Sequence, residues 1–275
     1  MTDAVSIQGV SKIYRPGKVG TAYFFGELHE AVRNFLPGNN KGYLQQKEPR
    51  RITALDTVTL SVANGESVGI IGRNGSGKST LLKLVAGITL PSIGTIELRG
   101  RVASLLDIGT GFQGDLSARE NIFLNGAILG MTRQELQRRF SAIVGFSGIA
   151  GFLDTPVKRF SAGMYIRLAF SIAIHCVADI LLIDEILAAA DRRFLTQCRG
   201  KLKDLVASGT SLLLVSHNLK TIEELCPRAV LIENGRVAAD GPVREVTGRY
   251  RSLSASPEKR TAENGVNDRV ESERV

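Results

Sequence analysis

Apolar and polar residues alternate over 4–14, AVSIQGVSKIY, which predicts a strand. The alternation breaks over 16–51. There Phe24, Phe25, Leu28, Val32, Phe35 and Leu36 recur at helical spacing before Pro37 and Gly38, so a short amphipathic helix is expected over 21–36, followed by an exposed loop, GNNKGYLQQKEPRR. Residues 52–72, ITALDTVTLSVANGESVGIIG, read as two strands around an Asn64–Gly65 turn. A helix is expected over 77–87, ending at Gly87, then two short strands near 94–98 and 101–106, then a mostly helical stretch over 118–175. ADILLIDE (178–185) and SLLLVSH (211–217) are apolar runs of strand length, as expected for strands buried on both faces. AVLIENGRVAADG (229–241) reads as a closing hairpin, and the polar, charge-balanced 252–275 as a disordered tail.

Strands that alternate with helices imply an α/β core built on a largely parallel sheet, with a helical lobe over about 112–175 and one domain spanning 1–251. At 275 residues and 43% hydrophobic, the chain can bury such a core. The net charge is +8, and half of it lies in 1–51, where Lys12, Arg15, Lys18, Arg33, Lys41, Lys47, Arg50 and Arg51 face Asp3, Glu27, Glu30 and Glu48. This bias suits an anionic partner such as nucleic acid or the inner face of a membrane, and equally a solubilising surface. Cys176, Cys198 and Cys226 are far apart, and no C-x-x-C is present, so neither a disulfide framework nor a zinc site is expected. The polar start carries no signal-peptide pattern, and the most apolar stretch, 168–190, is interrupted by His175, Asp179, Asp184 and Glu185. A cytoplasmic chain is therefore expected, with any membrane attachment supplied by another protein.

GRNGSGKST (72–80) fits G-x-x-x-x-G-K-[ST] between a predicted strand and a predicted helix. The amides of 74–80, including Asn74, Ser76 and Thr80, can point at a β-phosphate, and Gly72, Gly75 and Gly77 allow the backbone to come close. Lys78 is expected to bridge β- and γ-phosphates and Ser79 to ligate Mg2+. The strand ending at Asp184 brings a carboxylate toward the metal's water shell, and Glu185 beside it could orient an attacking water, which argues for ATP hydrolysis and not binding alone. His217, at the end of a second buried strand, could reach the γ-phosphate. His29 and His175 have no such setting.

RFSAGMYIRLAFS (159–171) has the form of a second anion-binding helix start at Ser161 and Gly163. One phosphate tail is already served by 72–80. The second site makes sense if it caps the γ-phosphate held by another copy, so that two chains arranged head to tail enclose two ATP molecules.

This order of motifs resembles the ATP-binding subunits of ABC transporters from about Val5 to Tyr250, with FSAGM (160–164) in the place of the usual signature. The resemblance implies a P-loop NTPase fold with a helical subdomain and an antiparallel β subdomain. It also implies that Tyr14 stacks on adenine and that Asp191, in AAAD (188–191), belongs to the loop after the catalytic Glu185. FSAGMYIRLAFSIAIH, GRVASLLDIGTGFQGDLSARENIFLNGAILG and DEILAAAD are similar to the polysaccharide and teichoic-acid exporter group, whose members carry an insertion before the phosphate loop. About 25 residues follow Tyr250, too few for the carbohydrate-binding β-domain of several members, so the short form is expected. Either Asp107 or Gln113 could stand at the family's sensing position, and Met164 in place of Gln removes one hydrogen-bonding group from the signature.

The function so implied is ATP-driven export of a lipid-linked polysaccharide, with a homodimer of these chains attached to an integral-membrane permease at the cytoplasmic face of the membrane, and no nucleic acid as partner. A groove between the core and the 118–175 lobe would hold a short helix of the permease, and the 21–36 helix could lie near lipid headgroups or pack on its own domain. An exporter of other cargo, a soluble ATPase acting on ribosomes or DNA, and a non-hydrolysing switch are the other readings. The second would suit the positive charge, and the third is disfavoured by the Asp184–Glu185 pair.

Overall fold

Four short apolar runs lie side by side at the centre of one sheet. They are β3 (Ser67–Ile71), β6 (Ile180–Asp184), β7 (Ser211–Val215) and β8 (Arg228–Glu233). The computed structural model describes residues 2–14, 51–106, 109–184 and 191–255. The sheet order is β5-β6-β7-β3-β8-β9, with β5 (Val102–Ser104) at one edge and β9 (Arg236–Pro242) at the other. All neighbours are parallel except β8 and β9, which form the expected hairpin.

The continuous hydrophobicity of these strands has a simple cause: both faces are covered. Val68, Ile70, Leu182, Leu213, Val215, Val230 and Ile232 face one core, whereas Ile71, Leu181, Ile183, Leu212, Leu214 and Leu231 face another. Successive side chains of one strand thus serve opposite cores, and no polar position is left in the alternation.

A second, antiparallel sheet of order β2-β1-β4 combines β1 (Asp3–Tyr14), β2 (Ile52–Ala63) and β4 (Ile93–Leu98). Its inner residues Val5, Ile7, Val10, Leu55, Val58, Leu60 and Val62 pack with α1 (Lys78–Val85) against the first face of the parallel sheet. The alternation in β1 slips between Ile7 and Val10, where the register against β2 shifts and keeps Val10 inward. The Asn64–Gly65 turn does not make a hairpin. Glu66 N donates to Ala63 O at 3.0 Å, and the chain passes from one sheet to the other.

The other core extends under a helical lobe of α2 (Ala118–Ile128), α3 (Arg133–Ser147) and α4 (Ala162–Ile174). Ser117 with Glu120 and Thr132 with Glu135 form reciprocal capping boxes that start α2 and α3. Along α4 the second half, 168–174, is buried, while Ser161 and Ala162 are exposed. The helix is therefore rooted by Leu168, Phe170, Ile172 and Ile174 and projects its start outward. Helices α5 (Arg192–Ala207), α6 (Leu219–Leu225) and α7 (Val243–Ala255) complete the chain.

Some expectations need correction or lie outside the described residues. The sequence pattern ends the domain at 251 with a tail from 252, but α7 continues to Ala255. The helix expected over 21–36 lies outside the described residues, as do 256–275. Among the described residues, no helix is long and apolar enough to cross a membrane.

Candidate phosphate-binding cleft

β3 runs parallel to β7 and β8, and β6 to β7, so loop 72–80, Asp184 and His217 all emerge at the carboxyl ends of neighbouring strands. This edge of an open α/β sheet is where the fold leaves a crevice. The loop is shaped from within. The Lys78 side chain is buried, and its Nζ donates to Gly72 O and Arg73 O, each at 2.8 Å, so the ammonium gathers the loop around itself. Ser76 N donates to Arg73 O at 3.2 Å, and Gly235 N, from the β8–β9 turn, donates to Ser76 O at 3.0 Å. Gly77 has φ +109, and a Cβ there would lie 2.6 Å from Ala54 O and 2.7 Å from Leu55 Cδ2. Only glycine fits this position, and its fit brings β2 up against the loop.

The cleft has a volume of about 360 Å3. It brings together Asn74, Gly75, Gly77, Lys78, Ser79 and Thr80 with Asp184 and His217. Gly72 and Ser76 are buried behind the loop and are not among the lining residues. Ile52, Thr53 and Ala54 of β2 line it as well, as does Val215 at the end of β7. The sequence pattern marks 52–54 only as strand. The one local sign of the wall is the glycine at 77, whose missing Cβ makes room for Ala54 O.

Tyr14 ends β1 directly opposite Ile52. It stands beside the cleft wall and is 38% exposed. Lys12 Nζ lies 5.1 Å from its ring centroid and is held by Thr89 Oγ1 at 2.7 Å and Leu90 O at 2.8 Å. A flat ring next to an apolar Ile52 is a surface on which a base could stack.

Ser161 and Gly163 sit elsewhere, at the start of α4, and do not line this cleft. Ser161 Oγ accepts from Met164 N at 3.2 Å, the cap expected of it. Asp191 caps α5, with Oδ1 accepting from Phe194 N at 3.0 Å and Oδ2 paired with the Arg167 guanidinium. Those bonds, the Phe194 amide first, hold its carboxyl below the usual range. Its oxygens are thus engaged within the chain, and it too lies off the cleft. Glu185 and Asp107 are outside the described residues. Gln113 does not line the cleft, and its backbone is held by Asn121 of the helical lobe.

The donor set fits a nucleotide tail with a hard cation. Lys78 in the cleft offers an ammonium to a phosphate tail, and Asn74, Ser79 and Thr80 line it with polar groups. Ser79 and Asp184 share one cleft and offer oxygen only, the ligand chemistry of Mg2+. Among the described residues, no group of three or more His, Cys, Asp or Glu could hold a metal ion.

A parallel sheet that delivers a glycine-rich loop, a carboxylate and an imidazole to one crevice, with an antiparallel sheet at one side and a helical lobe at the other, defines a P-loop nucleotide-binding domain. The ABC transporter family model matches residues 55–188, and the chain belongs to that family. It is 43% identical over 262 residues to the O-antigen export system ATP-binding protein RfbB of Myxococcus xanthus, covering 94% of this chain but 58% of that one. It is 41% identical over 215 residues to a Klebsiella pneumoniae protein of the same name, covering 78% and 87% respectively. The dimeric post-hydrolysis state of the ATP-binding cassette MJ0796 bound to ADP and Pi shares the fold, with a TM-score of 0.66, 21% identity, and coverage of 87% of this chain and 99% of that one.

Proposed function

We propose that this chain is the ATP-hydrolysing subunit of an exporter for a lipid-linked polysaccharide, working as a head-to-tail homodimer on an integral-membrane permease at the cytoplasmic face of the membrane. The observation that carries the reading is the separation of two half-sites. Lys78, Asp184 and His217 share one cleft, whereas Ser161, at an exposed helix start, lies off it. A second copy would bring its Ser161 and Gly163 to the open side of that cleft.

In this reading the amides of 74–80 and the Lys78 ammonium bind the phosphates of ATP. Ser79 and Asp184 would hold Mg2+, Asp184 through water, and the ion would supply charge neutralisation to the phosphates. Tyr14 supports the adenine. Glu185 orients the attacking water, and His217 with Lys78 stabilises charge on the transferring phosphoryl group. The partner copy's signature helix closes the cage and excludes water, and Asp191 fixes the start of α5 near that interface. Hydrolysis then separates the copies, and the permease moves its cargo. Both relatives are named as O-antigen export ATP-binding proteins, which supports the cargo class.

Glu185→Gln tests the reading. With ATP it should form a stable two-chain complex by light scattering while phosphate release nearly stops. Wild-type turnover in this variant would show that another group orients the water. Cells that carry Lys78→Ala as their only copy should lose surface polysaccharide while accumulating its lipid-linked precursor. An unchanged surface glycan would refute the cargo assignment.

A further inference from the structure

Lys12 and Tyr14 lie two residues apart in β1, and the Lys12 ammonium sits over the Tyr14 ring, 5.1 Å from its centroid. The ring is not what holds the lysine there. Lys12 Nζ donates to Thr89 Oγ1 at 2.7 Å and to Leu90 O at 2.8 Å. The backbone on either side of Lys12 is stitched to the same segment. Ser92 N donates to Ser11 O at 2.8 Å, and Ile13 N donates to Ser92 Oγ at 3.0 Å. That segment follows directly from α1, because the amides of Ile88 and Thr89 both donate to Lys83 O, at 3.0 and 3.4 Å. α1 begins at Lys78, in the phosphate-binding cleft. One short helix therefore has the phosphate loop at its start and, just past its end, the anchor of the Tyr14 ring.

We propose that Lys12 is a positioning residue for the base of ATP: it fixes the Tyr14 ring relative to the phosphate loop, so that the base and the triphosphate of one nucleotide are met in register. The inference rests on the reading above in which Tyr14 supports the adenine. Tyr14 ends β1 and is 38% exposed, so without an anchor its ring is free to turn, and binding would have to order it. An ammonium on one face of the ring leaves the opposite face for a base to stack on, and a fixed ammonium sets the tilt of that face. Lys12 does not line the cleft, so it acts on a nucleotide through the ring. One of its two hydrogen bonds is part-buried and the other exposed, where water replaces a lost partner, so the fold depends little on them.

The test compares the full chain with Lys12→Met, Lys12→Arg, Tyr14→Ala and the Lys12→Met/Tyr14→Ala double variant. KM and kcat for Mg-ATP are measured beside the affinity for inorganic tripolyphosphate, which has no base, and the thermal midpoint. Lys12→Met should raise KM for ATP about two- to fivefold, the weight of an exposed cation–π contact, with kcat, midpoint and tripolyphosphate affinity at the parent's values. Lys12→Arg should stay nearer the parent, because a guanidinium keeps a cation over the ring. The double variant should be no worse than Tyr14→Ala alone. A Lys12→Met protein with the parent's KM would overturn the inference. So would an equal loss for ATP and tripolyphosphate, or a double variant whose losses add, because the lysine would then act on the loop or the fold and not on the ring. Should Lys12→Met fail to fold, Thr89→Val removes one of the two anchors and leaves the lysine. It should raise KM in the same selective way, and an unchanged KM there overturns the inference as well. If Tyr14→Ala keeps the parent's KM, the adenine reading fails and this inference with it. An impaired Tyr14→Ala beside an indifferent Lys12→Met removes the role of Lys12 alone.

Discussion

Arg167 of α4 is ion-paired with Asp191, the residue that caps α5, and its guanidinium lies 5.8 Å from the centroid of the Phe194 ring of α5. The middle of α4 is thereby tied to the start of α5. Phe194 is itself buried between Phe170 of α4 and Phe146 of α3, so a charged contact at the surface continues an aromatic one beneath it.

Arg167→Ala should therefore lower ATPase activity more than it lowers stability. The pair is exposed at both ends, with side chains at 39% and 45%, and solvent screens it. Arg167→Lys should restore little, because a point charge replaces neither the planar contact with Phe194 nor the fork geometry. Steady-state rates and thermal midpoints measured together check this. A large drop in midpoint for Arg167→Ala would make the pair a stability element.

The same pair has a pH signature. The folded-state pKa of Asp191 is depressed, so its contribution to stability is present above the unfolded carboxylate value of about 3.9 and is lost as pH falls through the folded value. Urea unfolding of parent and Arg167→Ala should differ at neutral pH and converge in acid. A difference that grows on acidification contradicts the assignment.

His175 titrates in a different window. Its Nδ1 lies 2.8 Å from Ser171 O, its ring meets Phe146 edge-on at 5.4 Å, and burial pushes its pKa down. The unfolded chain then binds the proton more readily than the folded one, so stability is full above the unfolded value of about 6.5 and declines as pH falls below it. His175→Gln should flatten the stability profile between about pH 7 and 5. An unchanged slope would show that other groups set it.

Gly77→Ala should abolish nucleotide binding and cost about 1–3 kcal/mol of stability through a forced left-handed backbone, with the clash on Ala54 O added to that. Fluorescent-nucleotide titration and urea denaturation check both parts. Retained affinity would mean that β2 can yield.

Cys198 and Cys226 are buried, and burial pushes each thiol up to about 12. Thiolate is the reactive form, so both should resist a thiol reagent at pH 8 in the folded protein and react on unfolding. Rapid modification without denaturant would show local opening of α5 or α6.

Some of this is legible in the sequence because it is local. The cap at Ser161 spans three residues, the loop at 72–80 is shaped by its own lysine and glycines, and the runs ending at Asp184 and before His217 declare two buried faces by lacking polar positions. The helix of 243–255 is not legible in the same way. Its buried face is carried by Val243, Val246 and Thr247, too few apolar positions to stand out among Arg and Ser.

The sequence by itself determined the buried strands, the phosphate loop, and the carboxylate and imidazole at strand ends, because each depends on hydrogen bonds or side-chain periodicity within one turn or one strand. Tertiary structure decided the rest. β2 and β3 share a turn yet enter different sheets, and Ala54 walls the loop from another strand. Gln113 belongs to the lobe, and Tyr165 reaches a carbonyl 56 residues away. Such partners meet only when the sheets and the lobe pack, and nothing in the spacing of residues along a chain encodes which distant carbonyl a hydroxyl will find.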